Sequence, residues 1–162
     1  MRVALSLGSN KGDRQKFLFC AIHELLAQKI VLDIKCSTLF ENKALLSEGA
    51  PSDWNCDFIN CAVIGNTNLV LRELFYSIKD IEKFLGRKEG RRWSPREIDI
   101  DILLYGDIQV QNCEYKVPHV SMLKRDFVLL PLKEIAPQWV YTGGGKYHNM
   151  TIENIVKEKY EV

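Results

Sequence analysis

Apolar and polar positions alternate along the first strand-like stretch, with Val3, Leu5 and Leu7 on one side and small or polar residues on the other up to Gly8. A period of two marks a half-buried strand, and the turn Gly8-Ser9-Asn10-Lys11-Gly12 ends it. Asp13 suits a helix N-cap, because its carboxylate accepts from the free N–H groups of a first turn. Leu18, Ala21, Ile22 and Leu25 then recur at helical spacing, and the helix is expected to end near Lys29. Ile30 to Phe40 and Phe58 to Ile64 are apolar, β-branched runs predicted to pair as antiparallel strands around the polar segment Glu41 to Asn55. A connection of that length exceeds ordinary hairpin loops and is of the kind that covers binding sites. Asn68 is the predicted cap of a second helix whose buried stripe is Leu71, Leu74, Phe75, Ile78 and Leu85, stopped by Gly86. Ile98 to Tyr105 is the clearest strand. Val117-Pro118-His119, a short apolar helix around Phe127 to Ile135, a Gly143-Gly144-Gly145 turn and a terminal helix from Thr151 complete the chain.

The order β-α-β-β-α-β is that of the ferredoxin-like plait. The expected fold is therefore α+β, an antiparallel sheet with helices packed on it in a three-layer αβα arrangement and extra elements at the C-terminal end. At 162 residues the chain is long enough for one real core, so residues 1–162 are read as a single domain. Composition acts only by exclusion. With 46% hydrophobic and 27% charged residues the chain is neither disordered nor fibrous. A net charge of +1 provides no global field for nucleic acid or an anionic membrane, so any basic site must be local. The N-terminal stretch has neither a signal-peptide pattern nor a membrane-spanning apolar run. The cysteines Cys20, Cys36, Cys56, Cys61 and Cys113 form no CxxC pair and read as reduced thiols of a cytoplasmic protein.

Candidate chemistry concentrates around Ile98-Asp99-Ile100-Asp101-Ile102. Strict alternation puts both carboxylates on one face of a strand and the isoleucines on the other, with successive same-face Cα atoms about 6.5–7 Å apart. Such a pair can hold hard cations for phosphate transfer, or it can be the solvated face of an amphipathic strand; the five residues alone leave both readings open. Immediately before it, Arg87, Lys88, Arg91, Arg92 and Arg96 gather in one loop, and arginine suits bidentate phosphate contacts. Basic loop beside paired carboxylates suggests polyphosphate with Mg²⁺. Trp93 in that loop either stacks on a base or anchors the loop. Five cations without a counter-charge are expected to be repelled into water, making the loop a lid drawn in by a triphosphate. The first turn lacks the Walker A spacing, and no nucleophile elbow, HExxH or GxGxxG motif is present.

Leu7-Gly8-Ser9-Asn10 with Gly12-Asp13, Phe58-Ile59-Asn60, Glu82 four before Gly86-Arg87, Arg92-Trp93-Ser94-Pro95-Arg96 running into Ile98-Asp99-Ile100-Asp101-Ile102-Leu103, and Val117-Pro118-His119 leading to Arg125-Asp126-Phe127-Val128-Leu129 closely resemble the 6-hydroxymethyl-7,8-dihydropterin pyrophosphokinases over essentially the whole chain. The resemblance implies transfer of pyrophosphate from ATP to the hydroxymethyl group of the reduced pterin, with release of AMP, in folate biosynthesis. It implies Asp99 and Asp101 as ligands of two Mg²⁺ ions and Arg87 and Arg96 as catalytic loop arginines. It further implies Glu82, Arg87, Arg92, Trp93, Arg96, Ile102, His119 and Arg125 as ATP contacts. Gly8, Asn42, Leu45, Phe58, Asn60, Asp99 and Phe127 are the implied pterin contacts. The implied partners are these small molecules, with no nucleic acid and no membrane, and the expected state is a cytoplasmic monomer.

The residue chemistry agrees. Aromatic faces supply area for a flat heterocycle, and an amide supplies both donor and acceptor. Phe58 and Phe127 fit equally as core residues, and His119 as a turn histidine bonded to backbone. The chain departs from the family's usual pattern at Asn42-Lys43-Ala44, where a more mobile loop is expected, and at Lys79, Glu114 and Val120, where altered ATP affinity is expected. Two rivals stand beside this reading. One is a ferredoxin-like nucleic-acid or regulatory binding module, which accounts for the basic loop but not for adjoining carboxylates. The other is a different Mg²⁺-dependent phosphoryl or nucleotidyl transferase on the same plait.

Overall fold

The computed structural model describes residues 1–161. Alternation in β1 (Arg2–Ser9) sends Val3, Leu5 and Leu7 into one core and Ala4 into another on the opposite face of the sheet. The same division holds along β4 (Phe58–Asn66) and β5 (Asp99–Tyr105). Ile59, Cys61 and Val63 of β4, with Ile100 and Ile102 of β5, join Val3, Leu5 and Leu7. Onto this face pack α1 (Arg14–Ala27), through Leu18, Ala21 and Leu25, and α2 (Leu71–Phe84), through Leu74, Ile78 and Ile81. On the other face Ala4, Ala62, Ile64, Leu103 and Leu104 meet α3 (Asp126–Ile135) and α4 (Ile152–Tyr160). Two helical layers thus enclose one sheet, as the predicted three-layer arrangement requires.

With β2 (Leu32–Cys36) the strand order is β2-β4-β1-β5, every pair antiparallel. This is the ferredoxin-like order, in which the first strand lies inside the sheet. Asp13 caps α1 as expected, its side chain accepting from the Lys16 N–H at 3.1 Å. Two expectations need correction. The run Ile30 to Phe40 is not one strand: it divides into β2 and β3 (Phe40–Asn42), both paired to β4. Asp33 adopts a positive φ, the register with β4 shifts between Leu32 and Lys35, and Thr38 is held by Glu134 of α3 at 2.9 and 2.7 Å. The second helix is capped at Val70 and not at Asn68, because Thr67 Oγ1 accepts from Leu69 N–H and keeps the chain in a turn there, while Glu73 reaches back to the Val70 N–H. Beyond β5, the short ribbon of β6 (Val110–Gln111) and β7 (Lys116–Val117) leads into a cis Val117–Pro118 bond. Among the described residues no helix is long and apolar enough to cross a membrane, and all five cysteines are free thiols.

Candidate active site

Helices α3 and α4 cover only part of their face of the sheet; the rest is the floor of the site. On the central strand this floor carries nothing larger than Ser6 and Gly8. Pairing register aligns Gly8 with Asn60 on one side and Asp99 on the other, and aligns Ser6 with Asp101. A Cβ at Gly8 would lie 2.6 Å from Asn60 Oδ1, so the absent side chain leaves room between an amide and a carboxylate.

Above this floor is a cavity of about 300 Å³. It is lined by Gly8, Phe58 and Asn60 at one end, with Asn42 and Leu45 from the long loop and Phe127 from α3. At the other end stand Asp99 and Asp101, the loop residues Arg87, Arg92, Trp93 and Arg96, and His119 and Arg125 from the connection into α3. Residues from five separate stretches of chain are thereby brought together. Phe58 and Phe127 are half-buried, which places them on the cavity wall and not wholly in the core. Glu82 and Ile102 do not line this cavity. Ile102 is buried in the α1/α2 core and edges a second, adjoining cavity of about 380 Å³ with Glu114, Tyr115, His119 and Val120. Glu82 has a side chain only 3% exposed and lies beneath the site at the edge of a third cavity.

Glu82 organises the cations. Its Oε1 accepts from Ile100 N–H at 2.6 Å and lies 2.6 Å from Arg87 Nη1; its Oε2 takes Lys79 Nζ at 3.0 Å. Arg87 also reaches Asp99 Oδ1 at 2.7 Å, and Arg96 reaches Asp99 Oδ2 at 3.0 Å. These contacts correct the picture of a loop standing wholly off into water: Asp99 and Glu82 supply the counter-charge that pins Arg87 and Arg96, leaving Lys88, Arg91 and Arg92 exposed. The same ion pairs show that the face bearing Asp99 is not simply solvated. The start of the long loop is likewise held, since Asn42 Oδ1 accepts from Asn60 and Lys43 pairs with Asp57 at 2.8 Å.

Burial opposes the charge on Asp99, but the two guanidinium groups outweigh it and hold the carboxyl below its ordinary range. Asp101 has no such partner. Burial, reinforced by the charge on Asp99, pushes its carboxyl up. His119 Nδ1 accepts from Ser121 N–H at 3.2 Å, which turns Nε2 toward Asp101 Oδ2 at 3.7 Å; burial and Arg125 lower its pKa despite that carboxylate. Among the described residues no cluster of three or more His, Cys, Asp and Glu side chains forms a metal cage.

The role of one contributor escaped the sequence reading. Asn10 is buried and accepts from Arg96 N–H through Oδ1 at 2.8 Å, while its own N–H donates to Arg96 O at 3.2 Å and its Nδ2 to Cys56 O at 3.3 Å. It fastens the end of the basic loop to the first turn and to the long loop. Lys79, where the departure from the family's pattern bears on ATP affinity, enters the cavity from α2, and its spacing of three from Glu82 was the available signal for their ion pair.

The profile of the 7,8-dihydro-6-hydroxymethylpterin-pyrophosphokinase (HPPK) family matches residues 4–137. The chain belongs to this family. It is 43% identical over 139 residues to the 2-amino-4-hydroxy-6-hydroxymethyldihydropteridine pyrophosphokinase of Aquifex aeolicus, a match covering 86% of this chain and 82% of that protein. It is 38% identical over 156 residues to the folate synthesis bifunctional protein of Chlamydia muridarum, covering 94% of this chain and 34% of that one. The chain thus spans about a third of the length of the bifunctional relatives it matches. The crystal structure of Plasmodium falciparum HPPK-DHPS shares the fold, with a TM-score of 0.63 at 18% identity over 99% of this chain and 42% of that one. Membership of the HPPK family does not favour the binding-module rival.

Proposed function

We propose that this chain transfers the pyrophosphoryl group of ATP to the hydroxymethyl group of 6-hydroxymethyl-7,8-dihydropterin and releases AMP, as a step of folate biosynthesis. The observation that carries the proposal is the charge balance of the cavity. Lys79, Arg87, Arg92, Arg96 and Arg125 face two carboxylates, Asp99 and Asp101, beside two aromatic rings and an amide. An excess of guanidinium groups suits a triphosphate, the rings suit a flat heterocycle, and the carboxylates sit between the two.

Phosphoryl-type transfer asks for positioning and charge neutralisation more than for covalent help from the protein. Asn60 would pair with the pterin edge through the space left by Gly8, with Phe58 and Phe127 against the ring and Asn42 and Leu45 closing that end. The hydroxymethyl oxygen would then lie toward Asp99, facing the β-phosphorus. Arg87 and Arg96 would exchange part of their hold on Asp99 for phosphate oxygens, and Arg92, Trp93, His119 and Arg125 would contact the nucleotide. Ile102 would form part of the wall of the nucleoside cavity, and Glu82 would act from below through Arg87 and Lys79. Asp99 and Asp101 fit two Mg²⁺ ions: they are hard oxygen donors, Asp101 lacks a counter-cation, and Mg²⁺ ordinarily takes one or two carboxylates and completes its shell with phosphate and water. Bound there, Mg²⁺ would supply charge neutralisation on the phosphates and polarise the attacking hydroxyl. We further read residues 1–162 as one pyrophosphokinase unit, cytoplasmic and monomeric, with small-molecule partners only.

Incubation with ATP, Mg²⁺ and the reduced pterin, followed by nucleotide chromatography, tests the proposal. AMP with pterin pyrophosphate is expected; ADP would point to the rival transferase, and no turnover to a binding module. Two variants probe the pterin end. Phe127→Ala is expected to weaken pterin binding by roughly tenfold, the loss of one aromatic contact, with ATP binding nearly unchanged in calorimetric titration; equal losses for both ligands would return Phe127 to the core. Gly8→Ala is expected to keep its fold and lose pterin affinity by about tenfold or more, because the new methyl displaces Asn60 Oδ1 and costs the hydrogen bonds of one amide. Wild-type pterin affinity in that variant would show that Asn60 does not hold the ring.

A further inference from the structure

Of the three cavities that meet at the site, one residue lines them all: Lys79. Its side chain is 30% exposed, and its Nζ is held 3.0 Å from Glu82 Oε2 and 5.6 Å from the centre of the Phe75 ring. Without nucleotide, Arg87 and Arg96 are paired with Asp99. The single charge of Glu82 is shared between Lys79 and Arg87, so Lys79 retains positive charge toward the cavities. Its field reaches Asp99, Asp101 and His119 as well as Glu82. On one side of it lies the cavity with both aspartates. On the other lies the cavity edged by Ile102, Tyr115 and Val120, which has room for a nucleoside.

We propose that Lys79 is the cation that neutralises the departing AMP phosphate. The inference rests on the pyrophosphoryl-transfer reading above. A nucleotide with its β-phosphorus at the aspartates and its nucleoside in the neighbouring cavity must pass its α-phosphate across the seam that Lys79 occupies. In the transfer, the hydroxymethyl oxygen forms a bond to the β-phosphorus. The bond from that phosphorus to the α,β-bridging oxygen breaks, its electron pair leaves on AMP, and the hydroxyl proton is released to water. Negative charge therefore grows on the α-phosphate as the reaction proceeds. A cation fixed at that position is worth more in the transition state than in the ground state, because it is already oriented by Glu82 and Phe75.

The test compares Lys79→Gln, Lys79→Arg, Glu82→Gln and the double variant Lys79→Gln/Glu82→Gln, all in the presence of ATP, Mg²⁺ and reduced pterin. Lys79→Gln is expected to lower kcat by roughly 10²-fold with the pterin KM unchanged, and Lys79→Arg to recover most of it. Independently of turnover, calorimetry should show AMP binding about tenfold weaker in Lys79→Gln, the loss of one charged contact, while adenosine binding stays as in the wild type. The double variant should be slower than Glu82→Gln alone. Wild-type kcat and an unchanged AMP-to-adenosine affinity ratio in Lys79→Gln would overturn the role. So would a double variant no slower than Glu82→Gln, which would make Lys79 a mere counter-ion of Glu82. A wild-type protein that releases no AMP overturns the reading of the reaction and this role with it; AMP release with an unaffected Lys79→Gln overturns the role alone.

Discussion

Asp99→Ala and Asp101→Ala are expected to fold and to lose turnover by roughly 10²–10³-fold each, the size of effect seen when one charge-stabilising group is removed from a phosphate or oxyanion site. Folding should survive because the packing of β5 is carried by Ile98, Ile100 and Ile102 on the opposite side, all buried, whereas the two carboxylates are 27% and 31% exposed. The two variants should differ in the ground state. Removing Asp99 frees Arg96 from its partner and Arg87 from one of two, so metal-free ATP should bind Asp99→Ala at least as tightly as the wild type while chemistry fails. Asp101 has only His119 beside it, at 3.7 Å, and its removal relieves repulsion with Asp99 without releasing an arginine. Steady-state kinetics at saturating Mg²⁺, paired with ATP titration without it, separates these effects. Near-normal turnover in either folded variant would sink the assignment of the pair to metal.

Loss of the Glu82 carboxylate should be felt in stability first. Glu82→Ala is expected to cost about 3–5 kcal/mol, the range for breaking a buried ion pair by removing one partner. Lys79 would lose its carboxylate, Arg87 one of two, and the Ile100 N–H, which now donates to Glu82 at 2.6 Å, would be left unpaired inside the protein. Burial pushes this carboxyl up while Lys79 and Arg87 pull it down, with the net displacement upward. Glu82→Gln keeps an acceptor for Ile100 and should cost roughly half as much, the amide replacing the charge but not the hydrogen bond. Urea unfolding reads both, provided the m-value is unchanged. A cost below about 1 kcal/mol for Glu82→Ala, the value of an exposed pair, would mean that the three contacts do not hold the region together.

Much of the fold was legible because it depends on short-range periodicity. Alternation in β1 and in Asp99–Ile102 assigned the core face correctly, since a regular strand places successive side chains on opposite sides; the irregularity that puts both Leu103 and Leu104 in one core lies at the shift in register with β1. Asp13 announced α1 through its chemistry, and Thr151 does the same for α4, its hydroxyl accepting from Asn154 N–H. Asn68 misled because a polar residue before a helix signals a cap only if the chain turns there, and Thr67 had already turned it. The break between β2 and β3 was invisible for a similar reason: Ser37 and Thr38 interrupt the run no more than Asp33 and Lys35 do within β2, and it is Glu134 on a distant helix that holds Thr38 off the strand path.

The candidate site divides along the same line. The alternating Asp99 and Asp101, the basic loop and the motifs around them are local facts, and the residue types alone pointed to polyphosphate chemistry and to the family. Pairing register decided the rest. Gly8 faces Asn60 and Asp99 only because β1 lies between β4 and β5 in one particular alignment, and a slip of β1 by one residue would send Gly8 to the face opposite the other two. Asn10, Glu82 and Lys79 took their roles from partners 86, 18 and 3 residues away. The loop arginines could be read as free cations from the sequence because their counter-charges lie on other elements; burial of Glu82 beside them, and the low local dielectric that burial brings, turned a repelling cluster into a held one.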